Sequence, residues 1–359
     1  MKKLIRNPNK FDVLELFSSM ATTNGYKINN LHSIDDFIKK ISSSIKESST
    51  NDIMKFGKRI ESLFAYVIGA LGQVKLLKQE DVGNIYSLDD DILAPDYKAI
   101  LKDNTQFLIE VKNFYLKDFK KEFILKKDYY LKLQKYADIN NIPLKFAIYF
   151  STMNQWVLLP ITAFKKNKKT FSIDFATACA KSEMSLLGDR MIGTTPNLEI
   201  HMLTNKHESK PITTSGIVDF TIREIKFFCN KNEIKNTIEK NITFDLIKYG
   251  KWEEDTEIIM EKDNFIGIKF IYAPTEISEQ NFEIIGTLSG MISNKFKEMT
   301  INNGEVEALD LDLNPSLFKI FIPDDYDSKD LPLWQFILQA NTEFKGLQNY
   351  EKKSFILEE

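Results

Sequence analysis

The chain has 359 residues, with 48 Lys plus Arg against 51 Asp plus Glu, a net charge of -3 and 43% apolar residues. That apolar fraction excludes a disordered chain, and 14 Gly and 10 Pro without a period exclude a fibrous one. The most apolar long segment, Ile60 to Leu71, falls short of the roughly 20 residues of a membrane span.

At roughly 100 to 200 residues per domain, two or three domains are expected. The near-balance of charge gives no overall field for polyanions, so a nucleic-acid site would have to be a local patch. Cys179 and Cys229 cannot build a disulfide framework, and neither CxxC nor HExxH occurs. His32, His201 and His207 offer little for histidine chemistry. The Met-Lys-Lys start has no apolar stretch of a signal peptide, so the expected location is cytoplasmic.

In chain order, residues 1–50 read as a helical N-terminal segment that closes in a polar run, Ser42 to Asn51, expected to be a linker. From Asp52, apolar residues at spacings of three and four (Ile53, Phe56, Ile60, Phe64, Val67, Ile68, Leu71) predict a helix stopped at Gly72. After a turn-rich stretch, Tyr97 to Leu101 and Phe107 to Val111 predict a hairpin across Lys102 to Thr105. A helix is expected over Phe119 to Asn140, then strands at 145–150 and 155–159. Beyond Pro160 come a basic loop, Lys165 to Lys169, an irregular stretch, and strands at Leu198 to Leu203 and Ile217 to Phe228. The last part predicts a strand at Phe265 to Tyr272, a helix from Ser278 to Met299 and a strand at Leu317 to Ile322. The expected partition is 1–50 helical, 51–205 a mixed sheet flanked by helices, and 206–359 an α+β domain for specificity, activation or dimerisation.

The chemistry gathers at Pro95-Asp96 and, 13 residues later, Glu110-Val111-Lys112. Side chains alternate along a strand, so Glu110 and Lys112 share a face while Val111 points to the other. With the two strands as neighbours, Asp96 lies beside Glu110, and two ionised carboxylates that close attract a cation. Asp96, Glu110 and the Val111 carbonyl are hard oxygen donors of the kind Mg²⁺ prefers, with Mn²⁺ as a substitute. Lys112 would orient or help deprotonate a water, or stabilise charge developing at phosphorus. Other ExK triplets occur, and Pro323-Asp324 with Glu343-Phe-Lys345 is nearly a second copy, but Glu343 follows no apolar strand. Seven lysines against three acids between Leu116 and Lys135, and the Lys165 to Lys169 run, would suit phosphate contacts or equally a solvated surface.

These residues resemble the PD-(D/E)XK nuclease superfamily over roughly residues 52–164. The resemblance implies an α/β, restriction-endonuclease-like fold and a Mg²⁺-dependent endonuclease, with Glu61 on the first core helix as a further metal ligand and Gln134 on the helix after ExK facing the site. The QxxxY spacing of some relatives is absent, because Tyr136 follows Gln134 by two. The resemblance also implies double-stranded DNA as partner, a homodimer, and a restriction, defence or DNA-processing role. The alternatives are a non-cleaving nucleic-acid-binding or interaction protein on the same scaffold, and a ligand-gated nuclease acting on RNA or single-stranded DNA.

Overall fold

The computed structural model describes residues 1–3, 12–83, 85–88, 91–205, 210–212 and 216–346. They form two compact units that are not contiguous in sequence. The first comprises Met1–Leu187, Phe296–Phe318 and the stretch beginning at Gln339; the second comprises Gly188–Lys295 and Lys319–Leu338.

The first unit opens with helices α1 (Asp12–Asn24) and α2 (Leu31–Ser49), which bury Phe17 against Phe37 with ring centroids 5.2 Å apart. The expected linker from Ser42 is helical as far as Ser49. Nothing in Ser42 to Ser49 is Gly or Pro, and Ile34, Ile38, Ile41 and Ile45 keep the helical spacing running through it. Asn51 then caps α3 (Asp52–Leu71) by accepting from the Met54 N–H, and Gly72 ends it at φ 87°, as its apolar spacing predicts.

A strand the sequence did not announce, β1 (Val74–Gln79), follows, then the expected hairpin of β2 (Tyr97–Leu101) and β3 (Gln106–Phe114). The helix expected from Phe119 starts later. Phe123 and Leu125 are buried while Ile124 and Lys126 are exposed, a period of two that makes Phe123–Lys126 a strand, β4, leading into α4 (Lys127–Asn140). Strands β5 (Leu144–Phe150) and β6 (Gln155–Pro160) complete the main sheet. The basic loop is a hairpin, β7 (Lys165–Lys166) and β8 (Thr170–Ile173), which pairs with β4 ahead of α5 (Phe175–Ala180).

The main sheet runs β1-β2-β3-β5-β6, with β3 and β5 parallel and the other pairs antiparallel. A parallel pair needs a long crossover, which β4 and α4 supply. Helix α3 packs on one face through Phe64, whose ring lies 5.2 Å from that of Trp156. Leu133 and Ala137 of α4 join Leu108, Phe146 and Ile148 in a buried cluster on the other. The fold is therefore the expected α/β mixed sheet flanked by helices.

In the second unit, β9 (Met191–Thr194), β10 (Leu198–Leu203), β11 (Lys210–Pro211), β12 (Glu224–Cys229), β13 (Asn232–Ile234), α6 (Thr237–Tyr249), β14 (Glu253–Glu261), β15 (Asn264–Ala273), β16 (Glu283–Thr287) and the part of α7 (Leu288–Thr300) before Phe296 follow in order. Strands β10 to β15 make one antiparallel sheet, and β9 pairs with β16 and with Leu333–Phe336. The strand expected from Ile217 begins only at Glu224. The helix expected from Ser278 begins at Leu288, because Glu283–Thr287 is drawn into pairing with β9 and Asp189 accepts from the Ser289 N–H and hydroxyl at the helix start. The strand expected at Leu317 to Ile322 does not form; Pro315–Phe318 is a short 3₁₀ turn. His207 lies outside the described residues. Among the described residues no helix is long and apolar enough to cross a membrane.

Gly69 of α3 lets Pro315 approach so closely that an added Cβ would sit 2.6 Å from the proline Cβ. The rigid ring cannot move aside as a flexible side chain would. Gly69→Ala is expected to destabilise the protein by about 1–3 kcal/mol despite the better helix propensity of alanine, read as a lower urea midpoint.

Candidate active site

The hairpin register pairs Tyr97 with Ile109 and Lys98 with Leu108, so one further step sets Asp96 opposite Glu110. Directly opposed residues share a sheet face. Both acids are buried, Asp96 at 9% and Glu110 at 2% exposure. Asp96 Oδ2 accepts from the Val111 N–H at 2.6 Å. A residue in a strand directs its N–H and C=O to the same neighbour, which turns the Val111 carbonyl toward Asp96 as well. Lys112, two residues beyond Glu110, reaches back with Nζ 2.5 Å from Glu110 Oε1. The three residues singled out by their spacing are thus brought together.

Glu61 comes from α3, where Lys58 Nζ lies 2.6 Å from its Oε2 and the Tyr97 hydroxyl donates to its backbone carbonyl. Carboxylate oxygens of Glu61, Asp81 and Asp96 lie within 4.8 Å of one another. Asp81 escaped the sequence reading. It follows β1, whose pairing with β2 sets Gln79 opposite Tyr97 and bonds the Glu80 N–H to the Asp96 carbonyl, so the chain delivers Asp81 beside the Pro95-Asp96 corner.

Gln134 is not the residue of α4 that meets the acids. Its side chain accepts from the Tyr130 hydroxyl and donates to Asp138, both on its own helix. Tyr129 takes that place: its hydroxyl donates to Glu110 Oε1 and accepts from Lys112 Nζ at 3.2 Å, and the ammonium lies 5.0 Å from its ring centroid. Two turns on, the Tyr136 hydroxyl donates to Glu80 Oε2 at 2.6 Å. A spacing of seven puts both hydroxyls on one helix face toward acids, and that spacing was the available signal.

Burial, and next the charge of Glu110, push the Asp96 carboxyl up to about 7, against the pull of the Val111 N–H and the Lys112 ammonium. For Lys112, burial alone would lower the pKa, but the Glu110 carboxylate and Tyr129 outweigh it and hold the amine above its ordinary value. Lys112 is therefore a standing positive charge. Burial and then Glu110 raise the Tyr129 phenol to about 12, so it stays a donor.

The donor set fits a hard divalent cation. Three carboxylates, from Glu61, Asp81 and Asp96, bring oxygens within 4.8 Å of one another, and oxygen is the ligand such an ion prefers. Glu110 is outside that trio, and both of its described hydrogen bonds fall on Oε1.

Fold and site together define an α/β protein whose mixed sheet carries a buried acid–lysine constellation built from a PD and an ExK segment. No protein-family model matches the chain, and no curated protein matches it. Among solved structures it is similar to Archaeoglobus fulgidus Hjc, a Holliday junction resolvase from an archaeal hyperthermophile, at 18% identity and a TM-score of 0.23 over 32% of this chain and 84% of that one.

Asp96 gives a pH signature without any metal. Unfolded, the group loses its proton near its ordinary value of 3.8; folded, it keeps it to about 7. Folding therefore takes up a proton between these limits, and stability falls as pH rises through them and levels off above. Asp96→Asn keeps an acceptor for the Val111 N–H and removes the charge. In EDTA it is expected to be more stable than the parent by about 2–4 kcal/mol at pH 8, with the gain vanishing near pH 4, by urea denaturation at each pH.

Proposed function

We propose that the chain is a Mg²⁺-dependent endonuclease that hydrolyses phosphodiester bonds of double-stranded DNA. The observation that carries this reading is the convergence of Asp96, Glu110 and Lys112 on one face of the hairpin, with Glu61 and Asp81 closing on Asp96. The resemblance of the same residues to the PD-(D/E)XK superfamily supports it.

Asp96, Glu61 and Asp81 would hold the metal, with Mn²⁺ as substitute, joined by the Val111 carbonyl and the Glu110 oxygen not bound to Lys112. When bound, the ion supplies Lewis-acid charge to phosphate oxygens and makes a water more acidic. Lys112 is fixed as an ammonium, and its task is to stabilise the negative charge that grows at phosphorus rather than to remove a proton from water. Tyr129 keeps Lys112 and Glu110 in register by bonding to both. Gln134 is assigned no contact with the reacting atoms. The second unit supplies sequence choice or activation, the protein acts in the cytoplasm in restriction, defence or DNA processing, and a homodimer would match the two strands of a duplex.

The test is cleavage of plasmid, linear duplex, single-stranded DNA and RNA in Mg²⁺ or Mn²⁺, with EDTA as control. Duplex DNA is expected to be cut, with Lys112→Ala and Asp96→Ala lowering the rate by about 10² to 10³-fold. Tyr129→Phe, which keeps the ring and loses the hydroxyl, is expected to lower it by about 10-fold. Cleavage that survives Lys112→Ala, or duplex binding in EDTA with no product in either metal, defeats the reading.

A further inference from the structure

Lysines that are far apart in sequence meet at the start of α4. Strand β4 pairs with β8 so that Lys126 faces Thr170, and the Lys127 N–H donates to the Lys169 carbonyl at 3.0 Å. This seats the β7–β8 hairpin, with Lys165, Lys166, Lys168 and Lys169 all exposed, against the first turn of α4. Residues 115–128 and 165–170 together hold nine lysines against three acids. None of the four hairpin lysines forms an ion pair with a described residue. A chain with a net charge of -3 has concentrated positive charge on one small sheet and left it uncompensated.

Two further features show what that charge faces. Tyr129 is the third residue of α4, so a single helical turn joins the basic edge to the hydroxyl that bonds Glu110 and Lys112. The segment between β3 and β4 also presents Tyr115 and Phe119, more than 60% exposed, among Lys117, Lys120 and Lys121. Exposed rings beside lysines suit bases and phosphates of a polynucleotide.

We propose that the β4–β8–β7 sheet is a nucleic-acid backbone site, its hairpin lysines taking successive phosphates and leading the strand to the acids at Asp96 and Glu110. Its use as an approach to cleavage rests on the nuclease reading above, whereas binding to the sheet does not. The contacts are to phosphate, so they add affinity without sequence preference.

The experiment titrates a short fluorescent DNA duplex with the full chain in EDTA over a range of salt. The parent is compared with a triple variant of the hairpin, Lys165→Gln, Lys168→Gln and Lys169→Gln. A control of equal charge change, Lys27→Gln, Lys39→Gln and Lys46→Gln, alters exposed lysines before α3. Thermal melts verify that all three fold alike. The hairpin variant is expected to bind at least about tenfold more weakly, with a slope of log K against log salt shallower by about 2 to 3, and the control to bind as the parent does.

Equal affinity and slope for the hairpin and control variants overturn the proposal, as does a parent that binds no duplex. Tighter binding to anionic phospholipid vesicles than to duplex overturns it too. A parent that cuts DNA in Mg²⁺ while the hairpin variant binds and cuts equally well refutes the surface and spares the nuclease. Loss of binding in the hairpin variant of a parent that cuts nothing does the reverse.

Discussion

Two carboxyl groups held out of water beside one another, Asp96 and Glu110, set the terms for the structure around them. Left alone, such a pair repels itself and lacks the hydration each would have in solvent. The chain answers with specific donors: the Val111 N–H on Asp96, and the Lys112 ammonium and Tyr129 hydroxyl on Glu110. These bonds soften the cost without removing it, as the raised pKa of Asp96 records. What keeps the arrangement in place is the apolar sheet, in which Phe107, Leu108 and Ile109 beside the acids are almost wholly buried. An unfavourable local arrangement of this kind is what a cation-binding site needs beforehand, because an incoming ion relieves the repulsion.

Each element contributes through a different geometric rule. The hairpin register brings Asp96 opposite Glu110; strand alternation returns Lys112 to the same face. The parallel pairing of β3 with β5 requires a crossover, and α4 within it carries Tyr129 over the acids. Helix α3, from the other layer, supplies Glu61. No segment of the chain holds the site by itself.

What could be read in the sequence was what depends on near neighbours along the chain. The 3.6-residue spacing of α3, its Gly72 stop, the hairpin and the convergence of PD with ExK all follow from local periodicity, and the structure has them. Tyr129 was hidden because an aromatic on an amphipathic helix looks like core, and whether its hydroxyl meets an acid depends on how α4 is rotated against the sheet. Asp81 was hidden because it sits among other turn acids, after a strand whose exposure does not alternate. The polar run from Ser42 misled by composition, since serine weakens a helix without stopping one. Strand β16 was missed although Ile284, Ile285 and Thr287 favour a strand, because it adjoins a true helix and its partner β9 lies nearly a hundred positions earlier.

The non-contiguous make-up of the first unit bears on how the protein is made. Tyr66, on the helix that also carries Glu61, packs its ring against Phe296 and Phe318, and the buried Arg59 guanidinium donates to Thr300. During synthesis, the ribosome must therefore emit more than two hundred further residues before α3 gains these neighbours. Until then one flank of the helix is bare, a state open to chaperones and to misassociation. Contacts of such long range slow the final closure, so maturation of the site is tied to synthesis of residues 296–318 rather than to emergence of its motif.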